Sequence, residues 1–162
     1  MTKKSSGYAG ALSFDEPQTD GDWKVKLGFL IHDSARLRRT VIDEIFKPIK
    51  VTRSQAWLLA YLSLNDGLAQ TVLAEQMGLG KVALGGLVDR LEMNEMIERR
   101  AAPHDRRVNN IFLTDKGRKV VREMRKLVLI ANESILSGVS LSDLKTTVDT
   151  LDRLKLNLQQ ML

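Results

Sequence analysis

The chain has 162 residues, 43% of them hydrophobic, a net charge of +5 and no cysteine. That length suits one domain with long helical extensions, and the apolar share is enough for a core. Disulfides, thiolate zinc sites and thiol nucleophiles are excluded, and two histidines do not furnish a multi-histidine metal cage.

Residues 1–7 (MTKKSSG) are polar and lack an apolar signal core, and no apolar run approaches the roughly 18 residues of a membrane span. A cytoplasmic protein with no membrane partner is therefore expected. Its basic balance permits an anionic partner without identifying one. Residues 1–22 hold Gly7, Gly10, Pro17 and Gly21 and read as a flexible arm, with Tyr8, Leu12 and Phe14 as possible docking points.

From Trp23 to Phe46, Leu27, Leu30, Ile31, Val41, Ile42 and Ile45 recur at threes and fours, which predicts a helix that Pro48 ends. Thr52 or Ser54 starts the next, with Trp57, Leu58, Tyr61 and Leu62 on one face and Asn65, Asp66 and Gly67 as its stop. Two helices follow at about 71–77 and 81–94, joined by Gly78, Leu79 and Gly80. Met96–Arg100 and Asn109–Leu113 read as short strands, with Ala101–Val108 as the tip between them. Pro103 suits such a turn and not a central strand. Thr114 caps a long helix to about Ser137, which Gly138 ends. Ser140 and Asp143 form a capping-box-like start to the last helix. Along it Leu141, Leu144, Val148, Leu151, Leu154, Leu158 and Met161 make a narrow apolar seam.

This order predicts a mainly α protein with an α+β winged helix. A winged helix-turn-helix lobe occupies about 50–115 of a domain spanning 23–162, flanked by helices at about 23–47 and 115–162. Such a lobe sets one helix in the major groove of a duplex while its cationic hairpin reaches the neighbouring backbone or minor groove. The flanking helices carry apolar stripes that need a partner surface. A second copy is the simplest supplier, and packing within one subunit is the alternative.

The motifs TRSQAW (52–57), LAE (73–75), LVDRLE (87–92), DRR (105–107) and LTDKG (113–117) stand in an order and spacing that resemble the MarR family of winged-helix transcriptional regulators over about residues 24–162. The resemblance implies a homodimer with intertwined terminal helices. It also implies a repressor or activator that leaves a palindromic operator when a small molecule binds.

By that likeness the face of the second reading helix formed by Lys81, Val82, Ala83, Gly85 and Gly86 lies in the major groove, while Leu84, Leu87, Val88 and Leu91 face inward. Relatives place Ser, Thr and Arg along this face, and this chain departs from them. Two glycines inside a helix cost about 2 kcal/mol against alanines. Close approach to DNA is one compensation and contact with thymine methyl groups another, and a loosely tuned helix is the plain alternative. With few groups for bidentate base contacts, reading leans on DNA shape. Arg99, Arg100, His104, Arg106 and Arg107 cluster in and beside the hairpin, where an arginine can enter a narrow minor groove. The family's Asp-x-Arg pattern maps its DNA-contacting arginine to Arg107. Asp105 is expected to pair with an arginine and steady the tip. Arg90 and Lys116 suit phosphates or salt bridges, and Thr71 suits a phosphate or a helix cap.

The resemblance also implies an effector site where the dimerisation helices meet the lobe. Trp23, Phe29, His32, Arg36 and Arg39 on the first helix and Trp57 and Tyr61 on the second are its candidates, suited to an aromatic carboxylate or an acyl thioester. The plainer reading makes Trp57 a core residue and His32 an ordinary helix contact. No nucleophile–base grouping, phosphate loop or metal spacing is present, so neither an enzyme nor a cofactor is expected. The competing expectation is a protein-interaction module that pairs with another regulator and binds DNA weakly.

Overall fold

The computed structural model describes residues 19–102 and 105–162, with the side chains of residues 105–108 outside that description. The chain divides into two compact units, residues 1–44 and residues 45–162. Apart from Thr19, the described first unit is helix α1 (Asp20–Phe46), whose last two residues enter the second unit. It begins ahead of the Trp23 that apolar spacing marks. The Asp22 carboxylate accepts the Thr19 backbone N–H at 3.0 Å, and the Thr19 hydroxyl accepts the Asp22 N–H at 3.3 Å. Apolar periodicity locates a helix face, and a polar first turn leaves no mark in it. Most of the arm expected over residues 1–22 lies outside the described residues.

In the second unit Pro48 sits in a 3-10 turn, Lys47–Ile49. Helix α2 (Arg53–Leu64) opens with a full capping box: the Thr52 hydroxyl accepts from the Gln55 N–H and the Gln55 side chain accepts from the Thr52 N–H. Then come β1 (Leu68–Ala69), α3 (Gln70–Gln76), α4 (Lys81–Met93), β2 (Ile97–Ala102), β3 (Asp105–Leu113), α5 (Asp115–Ile135) and α6 (Leu141–Gln160). The α3–α4 pair matches the expected helices to within a residue at each end.

The sheet departs from expectation in two ways. It has three antiparallel strands in the order β1-β3-β2, because Leu68 and Ala69 pair with Ile111 and Asn110. The hairpin strands are also longer than predicted. Pairing runs on to Ala102 opposite Asp105, across a register shift between Ala101 and Ala102. Arg106 and Arg107 therefore lie on β3 by their backbone, where an eight-residue tip from Ala101 to Val108 was expected. The register shift takes up the irregularity and the ladder resumes beyond it.

Leu58, Leu59 and Leu62 of α2, Leu73 of α3, Leu84, Val88 and Leu91 of α4, and Ile97 and Ile111 of the sheet are at most 1% exposed. Each such side chain contributes about 1.5–3 kcal/mol by leaving water. Two glycines set the joints of this lobe. Gly67 has a φ of +81°, and a Cβ there would lie 2.6 Å from the Phe112 ring. A Cβ on Gly117 would run into the Met96 carbonyl oxygen, so its absence lets the first turn of α5 seat against the start of β2. Thr114 holds that turn, accepting the Gly117 N–H at 3.0 Å and donating to the Glu95 carbonyl at 2.6 Å. Asp66 ties the turn before β1 to both neighbours. It accepts the Leu113 N–H at 2.8 Å and pairs with Arg118 at 2.6 Å.

The terminal helices bury far less. In α5 only Gly117 and Met124 are buried, and in α6 no residue is. Ser140 caps α6, accepting the Asp143 N–H at 3.1 Å as the sequence predicted. No helix among the described residues is long and apolar enough to cross a membrane.

Candidate nucleic-acid interface

The outward side of α4 carries the residues assigned to the major groove. Lys81, Val82 and Ala83 are exposed, with Val82 at 91%, and Gly85 and Gly86 are half-buried. Leu84, Leu87, Val88 and Leu91 turn inward, as the spacing predicted. Gly80 caps the helix without a side-chain hydrogen bond. The two interior glycines answer no internal crowding. A Cβ on Gly85 would come no nearer than 3.8 Å to Gln70, and one on Gly86 no nearer than 3.6 Å to the Arg90 guanidinium. Arg90 is exposed, its side chain reaching back along the helix toward Gly86. Thr71 is exposed on α3 and does not cap it, since Ala69 holds the N-cap position.

Strand alternation separates the two arginines at the root of the wing. Arg99 shares a face with buried Ile97 and lies opposite Ile111, so it points toward α4. There its backbone N–H donates to Glu92 at 3.0 Å, while its guanidinium donates to Glu92 and to Asp89, the latter at 2.5 Å. Burial alone would lower the pKa of this guanidinium. Hydrogen bonds and charge from Asp89 and Glu92 outweigh burial and hold it above its ordinary value. Arg100 takes the opposite face. Its guanidinium sits 4.4 Å from the centre of the Phe112 ring and pairs with Glu98. Lys116 pairs with Glu95 at 3.1 Å, the salt-bridge role of the two considered for it.

The tip residues fall differently. Arg106 and Arg107 are placed only by backbone, on β3, and Asp105 stands opposite Ala102. Their side chains, and His104 as a whole, lie outside the described residues.

The candidate effector residues occupy two helices. On α1, Trp23 and Phe29 are 58% and 46% exposed, His32 and Arg39 are exposed, and Arg36 pairs with Asp33 at 3.2 Å. On α2, Trp57 and Tyr61 meet edge to face with ring centroids 5.7 Å apart, and the Tyr61 hydroxyl donates to the Gln76 carbonyl at 3.2 Å. Trp57 is 55% exposed, which corrects the plainer reading of it as core. Leu58, Leu59 and Leu62 take the inward face of α2 and leave the indole beside it. No group of three or more His, Cys, Asp or Glu residues suited to a metal ion occurs among the described residues.

Sequence reasoning missed the partners of Arg99. Asp89 and Glu92 stand one helical turn apart near the end of α4, a spacing that places two carboxylates on one face. That pair, followed by an arginine one strand later, was the available signal.

Residues 49–108 match the sequence model of the MarR family. A MarR transcriptional regulator from Methanosarcina mazei has a similar structure, with a TM-score of 0.77 at 22% identity over 84% of this chain and 98% of that one. A mutant MarR from E. coli complexed with operator DNA gives a TM-score of 0.72 at 20% identity, covering 84% of this chain and 98% of its own. CouR from Rhodococcus jostii, bound to p-coumaroyl-CoA, gives 0.70 at 25% identity over 79% and 90%.

Proposed function

Residues 49–108 match the sequence model of the MarR family, and on that likeness we propose that the chain is a MarR-family member and a homodimeric, sequence-specific DNA-binding regulator. In this reading it is a repressor released by a small aromatic or amphipathic ligand. The observation that carries the reading is one continuous reading head. The outward face of α4 runs into a hairpin whose far strand bears Arg106 and Arg107, inside a segment that matches the family.

Lys81, Val82, Ala83, Gly85 and Gly86 lie along the major groove, and Arg90 and Thr71 meet phosphates. Arg107, with Arg106 and His104 beside it, takes the backbone or minor groove, and Asp105 steadies them. Few of these groups read base edges, so selection rests largely on groove shape and deformability. The apolar faces of α5, where Met124 is the one buried large side chain, and of α6, where none is, pair with those of a second copy. A symmetric dimer meets successive major grooves when its reading helices stand about 34 Å apart. An effector controls binding only by preferring one spacing over another, which limits the change to roughly 5–150-fold. The exposed Trp57 indole, edge to face with half-buried Tyr61, gives an aromatic acid or its thioester a surface to stack on. The bound acyl thioester of CouR supports that class of ligand.

The test is a titration of duplex selected from genomic fragments. Arg107→Ala should remain a folded dimer and lose most of its affinity at physiological salt. Unchanged binding would move the contact elsewhere. Wild-type affinity should fall steeply with salt as neutralised phosphates release counterions. A second reading, a regulator-pairing module, is favoured by the 91% exposure of apolar Val82. It predicts that no defined palindromic site is recovered.

A further inference from the structure

Arg99 stands where a DNA-contacting cation is expected, yet both of its terminal guanidinium nitrogens are engaged by carboxylates inside the lobe. We infer that Arg99 is a positioning residue that joins the wing to α4, so that groove helix and hairpin meet the duplex as one body. The inference rests on the DNA-binding reading above.

Three contacts carry it. The Arg99 backbone N–H donates to one oxygen of Glu92 at 3.0 Å, the guanidinium donates to the other, and a second guanidinium nitrogen reaches Asp89 at 2.5 Å. Glu92 therefore grips both the strand backbone and the side chain, which fixes the height and the tilt of β2 against α4. The Arg99 side chain is 22% exposed, against 59% for Arg100, so little of it is open to a phosphate. A planar guanidinium suits such a two-carboxylate fork, where an ammonium would serve as a point charge. The pairing has an electrostatic result as well. Asp89 and Glu92 lie on the helix proposed to enter the groove, and Arg99 offsets charge that would otherwise repel the polyanion.

A direct phosphate contact and a positioning role differ in salt dependence. Removing a phosphate contact lowers the slope of log affinity against log salt by about one charge. Removing a positioning residue lowers affinity and leaves the slope alone. Wild type, Arg99→Lys, Arg99→Met, Glu92→Ala and Arg107→Ala would be titrated against the selected duplex over a range of salt, after melting curves confirm cooperative folding. Arg99→Met should lose about tenfold in affinity at unchanged slope, Arg99→Lys should recover part of it, and Arg107→Ala should lower the slope. Glu92→Ala gives the sharper sign. It should weaken binding although it removes a negative charge, whereas a freed Arg99 that contacts phosphate would bind more tightly. It also keeps the question open to decision if Arg99→Met fails to fold. A lowered slope in Arg99→Met, or affinity unchanged or raised in Glu92→Ala, would overturn the inference while leaving the DNA-binding reading intact. A wild type that binds no duplex at any salt would overturn both.

Discussion

The lobe from α2 to β3 closes over six of its leucines, with Leu58, Leu59, Leu62, Leu73, Leu84 and Leu91 all at 0% exposure. Helix α6 is as rich in leucine and buries none of its residues; Leu151, Leu156 and Leu158 are 41%, 57% and 54% exposed. Both patterns have helical spacing, so composition does not separate them. What separates them is closure. The lobe packs three helices and a small sheet around one centre, while the seam of α6 is left open by its own chain and becomes half of an interface in the dimer proposed above. A 20-residue helix with nothing buried draws little stability from its own chain, since packing of an apolar face supplies most helical stability in proteins.

Substitutions of similar size in the two regions should therefore act in different ways. Leu84→Ala opens a cavity in the closed core and should cost about 2–5 kcal/mol, read as a lower denaturant midpoint that does not depend on protein concentration. Leu151→Ala should leave the midpoint of the lobe alone and weaken association instead, by about 1–2 kcal/mol per chain, read by sedimentation over a dilution series. A concentration-independent loss of fold stability in Leu151→Ala would mean that the seam is completed within one chain.

A smaller effect, of opposite sign, is expected on α4. Gly85→Ala meets only ordinary contact, 3.8 Å from Gln70, so it should raise lobe stability by about 0.4–1 kcal/mol, measured by chemical denaturation. A loss would show that the glycine answers a crowding inside the lobe. The smallest effect is a null. The folded pKa of Arg99 is raised, so its contribution is complete below the ordinary guanidinium value and fades only as pH climbs through the higher folded value. Between pH 6 and pH 9 stability should not vary on account of Arg99. A stability slope in that window that disappears in Arg99→Met would contradict the assignment.

The same division governs what could be read from the residues alone. Caps were legible because their chemistry is local: Thr52 with Gln55, Thr114 with Gly117, and Ser140 with Asp143 each act across three positions. The inward face of α4 was legible because periodicity encodes it. Strand β1 was not, since two residues make no pattern and their partners, Ile111 and Asn110, lie far along the chain. The length of the hairpin was missed because the strand ends carry no local signal: the pairing that extends β2 to Ala102 and starts β3 at Asp105 depends on partners across the ladder. At the candidate site the arginines of the wing could be found by charge, but their destinations could not. Alternation along β2 sends Arg99 to Asp89 and Glu92, and Arg100 to Phe112 and Glu98. Only the register of the sheet decides which goes where.

The central claim is that two chains complete one another through α5 and α6 and so present paired reading heads to a duplex. Sedimentation of the full chain, alone and with an operator-length duplex, tests this most directly. The account predicts a dimer at micromolar concentration and a complex of two chains per duplex. A monomer throughout, or one chain bound per duplex, would contradict it.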